Sequence, residues 1–331
     1  MKKYIAILVS LFVFIFGSYS IHNTFLLNDY LETSSSQKVD ILIESGDTGT
    51  QIAEKLYKSG VIKASKVFYK LAINEKRSNS ISPGIHEIDL KISAKAALDQ
   101  LLDPKRNSGV FGFIEGLRKN EIFDLLKKSD LVSGNLSASI KPDKIYKTSN
   151  LEGFLFPAQY SFVPGTSTDE AINQMINRFN LAAKTSKVDQ GFNGFSPFEL
   201  VTIASIIQAE GDPQDFKKIA RVIYNRLKIK MPLQMNATVD YAANLRGQIR
   251  LPYKRLEINS RYNTYKYQGL PIGPIGNPGQ DALDAAVNPV SGDWLYFITV
   301  KPQDTRFTKS FNEFNLWVNE FRKNEKAGLF K

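Results

Sequence analysis

Glu210 is the residue best placed for chemistry, because the sequence puts its carboxylate at the end of an apolar helix. A capping box formed by Ser196 and Glu199 marks the start of this helix, with Pro197 at the first helical position. Gly211 directly follows Glu210 and is typical of a helix end. A helix is therefore predicted from Pro197 to Glu210.

The apolar residues of this helix predict that Glu210 is buried. Leu200, Ile203 and Ile207 recur at helical spacing on one stripe, and Glu210 falls on the same stripe. Desolvation and the negative end of the helix dipole both disfavour the ionised carboxylate, so they raise its pKa. A carboxylic acid that keeps its proton near neutral pH is suited to general acid catalysis. A structural glutamate paired with an arginine remains the alternative.

The composition leaves carboxylates as the leading catalytic candidates. The 331 residues include no cysteine, which excludes a thiol nucleophile, a zinc–thiolate site and a disulfide framework. The only histidines are His22, beside an apolar run, and His86, in a strand-like segment, where structural roles are expected. A Ser-His-Asp triad or a histidine metal site is therefore not predicted, and neither a metal nor another cofactor is expected.

The chain is basic, with a formal net charge of +10, and this favours anionic partners. Its basic residues are spread along the sequence and no nucleic-acid-binding motif is present, so nucleic acid is not an expected partner. Anionic lipid or an acidic polymer fits better.

The N-terminus predicts a membrane anchor. Lys2 and Lys3 precede an uncharged apolar run, residues 4–21, that would span about 27 Å as a helix. We assign residues 1–3 to the cytoplasm, 4–22 to a transmembrane helix and 23–38 to a polar tether, with an extracytoplasmic body. A cleaved signal peptide is the alternative, but the run is long for one and no A-x-A site ends it.

Residues 39–104 read as a small β-α-α-β unit. Apolar alternation predicts strands at residues 39–43 and 85–90, which pair because neither is stable alone. Helical spacing predicts two helices between the strands, and Ser93 opens a further helix. Residues 105–331 form a larger region of mixed helices and strands.

The helix that follows Glu210 carries an inward-facing arginine. It begins near Asp212 and Pro213, and Arg226 lies on its apolar face. A buried arginine usually pairs with a carboxylate, so Glu210 or an acid of the substrate is a candidate partner. A salt bridge to some other acid is the open alternative.

Residues 262–279 are rich in glycine and proline, which excludes a helix or a central strand. A stiff loop of this kind is either a ligand-binding wall or a structural loop, and the composition leaves both open. Further on, residues 294–300 are predicted to form a buried strand and residues 313–321 a terminal helix.

Several segments, in this order, resemble the MltG (YceG-like) family of membrane-anchored endolytic murein transglycosylases. The first matches the family's catalytic helix, and the last group, around Tyr262, is the most specific. The segments are residues 204–210, 225–227, 233–234, 238–239, 262–265, 269–271, 273–275 and 277–279.

The resemblance implies an α+β fold with a single N-terminal transmembrane helix. Residues 39–104 would be a LysM-like subdomain, and residues 105–331 a mixed α+β catalytic domain. Where the family often has two glutamates two residues apart, the first is Gln208 here, so the catalytic role falls on Glu210. Other departures from the family pattern are Ala158, Gln159, Asn236, Arg306 and Phe314.

The implied reaction is cleavage of the MurNAc–GlcNAc bond within peptidoglycan strands, which leaves 1,6-anhydroMurNAc ends. Glu210 would act as general acid and then as base. The implied partners are peptidoglycan strands and the cell membrane, with peptidoglycan synthases or division proteins as further candidates. Expected substrate-binding residues are Arg226, Gln234, Thr238, Tyr262, Asn263, Thr264 and Tyr265.

Two other functions stay open at this point. One is a water-using muramidase, in which Asp240 or Glu257 would activate water. The other is a non-catalytic scaffold for wall binding or division.

Overall fold

The structure, a computed structural model, describes residues 28–44, 46–77, 80–246 and 256–330. The predicted membrane anchor at residues 4–22 lies outside these ranges. Within them, no helix has the length and apolar character needed to cross a membrane.

The described chain divides into two compact units. The first holds the residues up to Phe111 together with Asp130–Val132 and Gln159–Thr166. Its central feature is an antiparallel strand pair in which Lys38 faces Asp89 and Ile43 faces Gly84. The elements are β1 (Lys38–Ile43), α1 (Gly49–Lys58), α2 (Ser65–Asn74), β2 (Gly84–Asp89) and α3 (Ala94–Leu101).

This arrangement confirms the predicted β-α-α-β order and the pairing of its strands. Thr48 caps α1 through a capping box with Gln51, and the Ser93 side chain caps α3. The helices bury their apolar faces in one core with the strands. Its members include Ile41, Ile43, Leu56, Phe68, Ile88 and Leu98.

The second unit holds Gly112–Ser129, Ser133–Ala158 and Ser167–Lys331. Helices dominate it, and its strands are short. From Val110 onwards the elements of the chain, of which β5 belongs to the first unit, are β3 (Val110–Gly112), α4 (Lys119–Lys127), β4 (Val132–Ser133), β5 (Gln159–Ser161), β6 (Thr166–Ser167), α5 (Thr168–Ser186), α6 (Pro197–Glu210), α7 (Phe216–Lys228), α8 (Asn236–Ala242), α9 (Gln280–Val287), β7 (Tyr296–Lys301), β8 (Asp304–Thr308) and α10 (Phe311–Lys326).

Helix α6 is the central element of this unit. Its start is the predicted capping box, in which Ser196 N donates to Glu199 Oε2 at 2.8 Å. Every residue from Leu200 to Ile207 is buried, so the helix is enclosed on all sides and not only along the predicted stripe. Its neighbours include α7 and α9.

Gly211 ends α6 for a reason that the sequence did not reveal. Its φ of −164° is extended backbone, so the left-handed conformation that favours glycine is absent. A Cβ at this position would instead overlap Cδ1 of Ile219 on α7. Glycine is therefore needed for the close approach of the two helices.

The predicted strand at residues 294–300 is present as β7, but the prediction that it is buried is wrong. Strands β7 and β8 form a two-stranded antiparallel ribbon against which α10 packs, and in β7 only Val300 is buried. An apolar run indicates a strand but not how many layers cover it, and among the described residues no third strand joins the ribbon. The terminal helix α10 is confirmed, although it has no fully buried residue.

Replacement of Gly211 by alanine is expected to destabilise the protein by about 1–3 kcal/mol, because the added methyl overpacks the contact with Ile219. Urea unfolding measures the loss. The double variant G211A/I219V removes the Cδ1 atom that the methyl would meet, so it should recover part of the lost stability. An alanine variant as stable as the wild type would contradict this account of the turn.

Candidate active site

The carboxyl group of Glu210 meets the first turn of α8. The backbone N–H of Ala237 donates to Glu210 Oε1 at 2.9 Å. Protein surrounds the side chain on most sides, and a part of it stays accessible to solvent. Glu210 is therefore enclosed enough to be desolvated and open enough to reach a substrate.

Burial raises the pKa of Glu210 to about 7. The Ala237 hydrogen bond and the positive charge of Arg226 act in the opposite direction, whereas the negative charge of Asp240 adds to the rise. The sequence predicted that burial and the helix dipole raise this pKa, and burial is confirmed as the main cause. A carboxyl group with this pKa is shared between its acid and base forms at neutral pH.

Arg226 is buried, but it forms no ion pair with any acid in the described part of the chain. Its Nε donates to the carbonyl of Leu295 at 2.6 Å, and its Nη1 donates to the carbonyl of Leu233. The guanidinium also lies 5.4 Å from the ring centre of Tyr296. Glu210, one of the partners considered from the sequence, is therefore not paired with Arg226 directly, and the charge of Arg226 acts on it through space.

Tyr265 approaches the same site from the predicted irregular loop. Its hydroxyl donates to Asn236 Oδ1 at 2.6 Å, at the start of α8. Burial, with the nearby charge of Glu210, raises the pKa of Tyr265 to about 12, so the phenol stays protonated at neutral pH. Tyr265 therefore offers a neutral polar group beside Glu210.

Asn263 shapes this loop from inside. It is fully buried, and its Nδ2 donates to the carbonyls of Leu256 and Ile258 at 2.8 and 3.0 Å. Its Oδ1 accepts from the backbone N–H of Tyr265 at 3.0 Å. With both ends of its amide engaged, Asn263 holds the backbone that presents Tyr265.

Thr238 and Thr264 join the loop to α8. Both are buried, and their hydroxyl oxygens lie 2.9 Å apart. Thr238 also donates to the carbonyl of Met235, and Thr264 accepts from the N–H of Met235. The pair fixes the first turn of α8, from which Ala237 reaches Glu210.

Gln234 and Tyr262 complete the predicted set. Gln234 is exposed and has a φ of +50°, an uncommon conformation for a residue other than glycine that is often found at functional sites. Tyr262 packs its ring 4.7 Å from that of Tyr241, near the other end of α8. The structure therefore brings Tyr265, Thr238 and Thr264 to the Glu210 end of α8 and places Tyr262 towards its C-terminal end.

Glu152 and Tyr241 are site-supporting residues that the sequence reasoning missed. Glu152 is buried in the turn-rich segment at residues 151–157 and accepts from Tyr241 OH at 2.9 Å and from the backbone N–H of Lys119 at 3.0 Å. Burial raises the pKa of Glu152. The signal in the sequence that could have found Glu152 is an acidic residue within an otherwise apolar run. Helix α8 is thus held at both ends, by Glu210 and by Glu152.

The central helix also holds the glycine- and proline-rich loop directly. Ser205 Oγ accepts from the N–H of Ile275 at 3.0 Å, and Gln208 Oε1 accepts from the N–H of Gly279 at 3.0 Å. The neutral side-chain amide of Gln208 therefore holds the backbone of the loop at Gly279. Across the described ranges, no group of three or more His, Asp or Glu side chains is arranged to hold a metal ion.

The raised pKa of Glu210 predicts a pH-dependent gain in stability for Glu210→Gln. A carboxyl whose folded pKa is raised stabilises the protein below its unfolded pKa, near 4.5, and that contribution is lost as the pH rises through 7. Glutamine can still accept from Ala237 and is never charged. The variant should therefore gain about 2–3 kcal/mol relative to the wild type between pH 4.5 and pH 8. Urea unfolding across this range measures the difference, with exposed Glu257→Gln as control; a constant difference would contradict the burial of Glu210.

Comparison with known proteins places the chain in a family. The sequence pattern of the YceG-like family matches residues 41–320. A Bacillus subtilis (strain 168) protein named endolytic murein transglycosylase is 34% identical over 326 residues, covering 89% of each chain. A protein of the same name from Streptococcus pneumoniae serotype 2 (strain D39) is 39% identical over 155 residues, which cover 45% of this chain and 28% of that protein.

A solved structure agrees with these sequence matches. The 2.6 Å crystal structure of a YceG-like protein from Listeria monocytogenes aligns with a TM-score of 0.56 at 27% identity, covering 85% of this chain and 99% of that one. The family pattern spans most of the chain, and a relative above 30% identity covers nearly all of it. This chain therefore belongs to the YceG-like family.

Proposed function

We propose that this chain is an endolytic lytic transglycosylase of peptidoglycan, with Glu210 as its one acid–base group. The observation that carries the proposal is a partly accessible carboxyl, with a pKa of about 7, at the end of a buried helix. The relatives named endolytic murein transglycosylase support the substrate class.

In the first step, protonated Glu210 gives its proton to the oxygen that links MurNAc to GlcNAc. The bond from that oxygen to C1 of MurNAc breaks, and positive charge develops on the sugar. The ionised Glu210 then takes the proton from the 6-hydroxyl of the same MurNAc, while O6 bonds to C1. The proton returns to the enzyme, the product is a 1,6-anhydro end, and no water is consumed.

The surroundings of Glu210 suit both steps. Burial favours the protonated form that begins the reaction, and Ala237 N–H with the charge of Arg226 stabilises the carboxylate that follows. Ala237 engages Oε1, so we assign the proton transfers to Oε2. Glycosidases that use water need two carboxylates at a set separation, whereas here the substrate supplies its own nucleophile.

We assign direct sugar contacts to Gln234, Tyr262 and Tyr265. Gln234 is exposed, and the tyrosines offer an apolar ring with a polar tip, a combination suited to sugars. The other predicted binding residues would act through these, because they are buried within the protein. They are Arg226, Thr238, Asn263 and Thr264.

We also propose that residues 4–22 anchor the protein in the plasma membrane, with residues 1–3 cytoplasmic and the body outside. The support is the uncharged run after Lys2 and Lys3. Residues 39–104 are proposed as a LysM-like subdomain, on the resemblance and the order of their elements. Peptidoglycan synthases or division proteins are the proposed neighbours of an enzyme anchored there.

Digestion of purified glycan strands should yield 1,6-anhydro ends, detected by mass spectrometry, with no oxygen-18 taken up from labelled water. Glu210→Gln should lower the rate by about 100- to 10,000-fold, because the acid is lost while the fold is kept. Exposed Glu257→Gln is the matched control and should keep the wild-type rate. Reducing ends that carry oxygen-18 would instead establish a hydrolase.

The pH profile of kcat/KM is expected to fall above a pKa of about 7, by tenfold per pH unit, because only protonated Glu210 starts the reaction. Asp240→Asn removes a negative charge that raises this pKa, so its alkaline limb should move to lower pH. Initial rates between pH 5 and 9 measure both curves. A second limb in the acidic range would indicate a catalytic carboxylate that must be ionised.

A further inference from the structure

A second pocket lies at the C-terminal end of α8, in the same unit as Glu210. It has a volume of about 260 Å³, and its lining includes Arg118, Asn120, Tyr241 and Asn244 together with the acids Glu121 and Glu152. Tyr241 and the Ala237 that contacts Glu210 lie four residues apart on α8, about 6 Å along the helix axis. The pocket is therefore close to Glu210, but neither Glu210 nor Ala237 lines it.

Arg118 is the distinctive residue of this pocket. Only 9% of it is exposed, and its Nε is buried without a hydrogen-bond partner. Nη2 donates to the carbonyl of Leu245 at 2.6 Å, and the guanidinium stacks 4.9 Å from the ring centre of Tyr241. Throughout the described residues no acid forms a direct ion pair with it, although the charges of Glu121 and Glu152 act on it from nearby.

The acids around Arg118 are already engaged. Glu121 pairs with Arg246 and accepts from the backbone N–H of Arg118 at 2.7 Å. Glu152 accepts from Lys119, from Tyr241 and, at 3.4 Å, from Asn277. Burial, and then the like charge of Arg246, lower the pKa of Arg118, whereas Glu121, Tyr241 and Glu152 act in the opposite direction. The net direction is downward, so an added anion would further stabilise the charged guanidinium.

Arg118 also occupies a position that arginine does not favour. It is the N-cap of α4, where serine, threonine, aspartate or asparagine normally accepts from the helix backbone. A guanidinium cannot accept such a bond, and a cation opposes the helix dipole at this end. A residue that breaks local rules at the edge of a pocket is typical of a functional site.

We propose that this pocket binds a carboxylate carried by the glycan strand, with Arg118 as its main ligand. The inference rests on the proposed function for its substrate. A guanidinium presents paired N–H donors that match a carboxylate, and the amides of Asn120 and Asn244 add neutral donors. Carboxylates on a strand come from the stem peptide or, where MurNAc carries no stem, from its lactyl group. Engagement of one at the far end of α8 would fix the strand relative to Glu210.

The test measures binding of glycan strands in the inactive Glu210→Gln background, so turnover is not needed. Added Arg118→Gln should weaken binding of native strands about 10- to 100-fold, the loss expected for a charged hydrogen-bonded pair. On strands whose carboxylates are neutralised by carbodiimide amidation, the two proteins should bind alike. Arg221→Gln is the control, because Arg221 also bonds a backbone carbonyl, Val290, but lies outside the pocket.

A second variant, Arg118→Ser, separates loss of binding from misfolding, because serine is a favoured N-cap. It should keep the wild-type thermal midpoint and lose affinity as Arg118→Gln does. Amidase treatment removes the stems and frees the lactyl carboxylates to which they were amide-bonded: a loss on native strands that disappears after treatment identifies the stem, and a loss that appears only after treatment identifies the lactyl group. The site is overturned if Arg118→Gln has no effect, if it weakens amidated strands equally, or if Arg221→Gln matches it. Absence of anhydro ends from the active enzyme would instead refute the proposed function and leave the binding result readable.

Discussion

The hydrogen bond from Ala237 N–H to Glu210 Oε1 joins the end of the buried helix α6 to the start of α8, and the rest of the site is organised around it. Without burial the carboxyl would be ionised at neutral pH, and without the N–H and the Arg226 charge its proton would be held more tightly. These opposing effects leave one group able to give and accept a proton. The rigid loop, the threonine pair and the Glu152 contact all serve to keep α8 in this place.

Much of the fold could be predicted from local signals. The Ser196–Glu199 capping box gave the start of α6, and apolar alternation gave the strand pair of the first unit. Helix α8 escaped prediction because its seven residues include Asn236, Thr238 and Asp240, which are weak helix formers. Tertiary contacts hold it in place, and a single sequence does not display those.

The candidate active site could likewise be predicted where local sequence signals exist, but not where tertiary contacts decide. The burial of Glu210 follows from the apolar residues around it, so its position and raised pKa could be predicted. The partners of Arg226 and Asn263 could not, because they are backbone carbonyls, which carry no sequence signature. A polar residue on an apolar face predicts that a partner exists, and the fold decides whether that partner is a side chain or the main chain.

The turn at Gly211 bears on how a single carboxyl could serve two oxygens. A side chain at position 211 would displace Ile219, which fills the space beside Gly211. In the proposed mechanism one carboxyl has to reach both the bridging oxygen and the 6-hydroxyl. A larger residue at 211 would therefore disturb the backbone next to the one group on which both proton transfers depend.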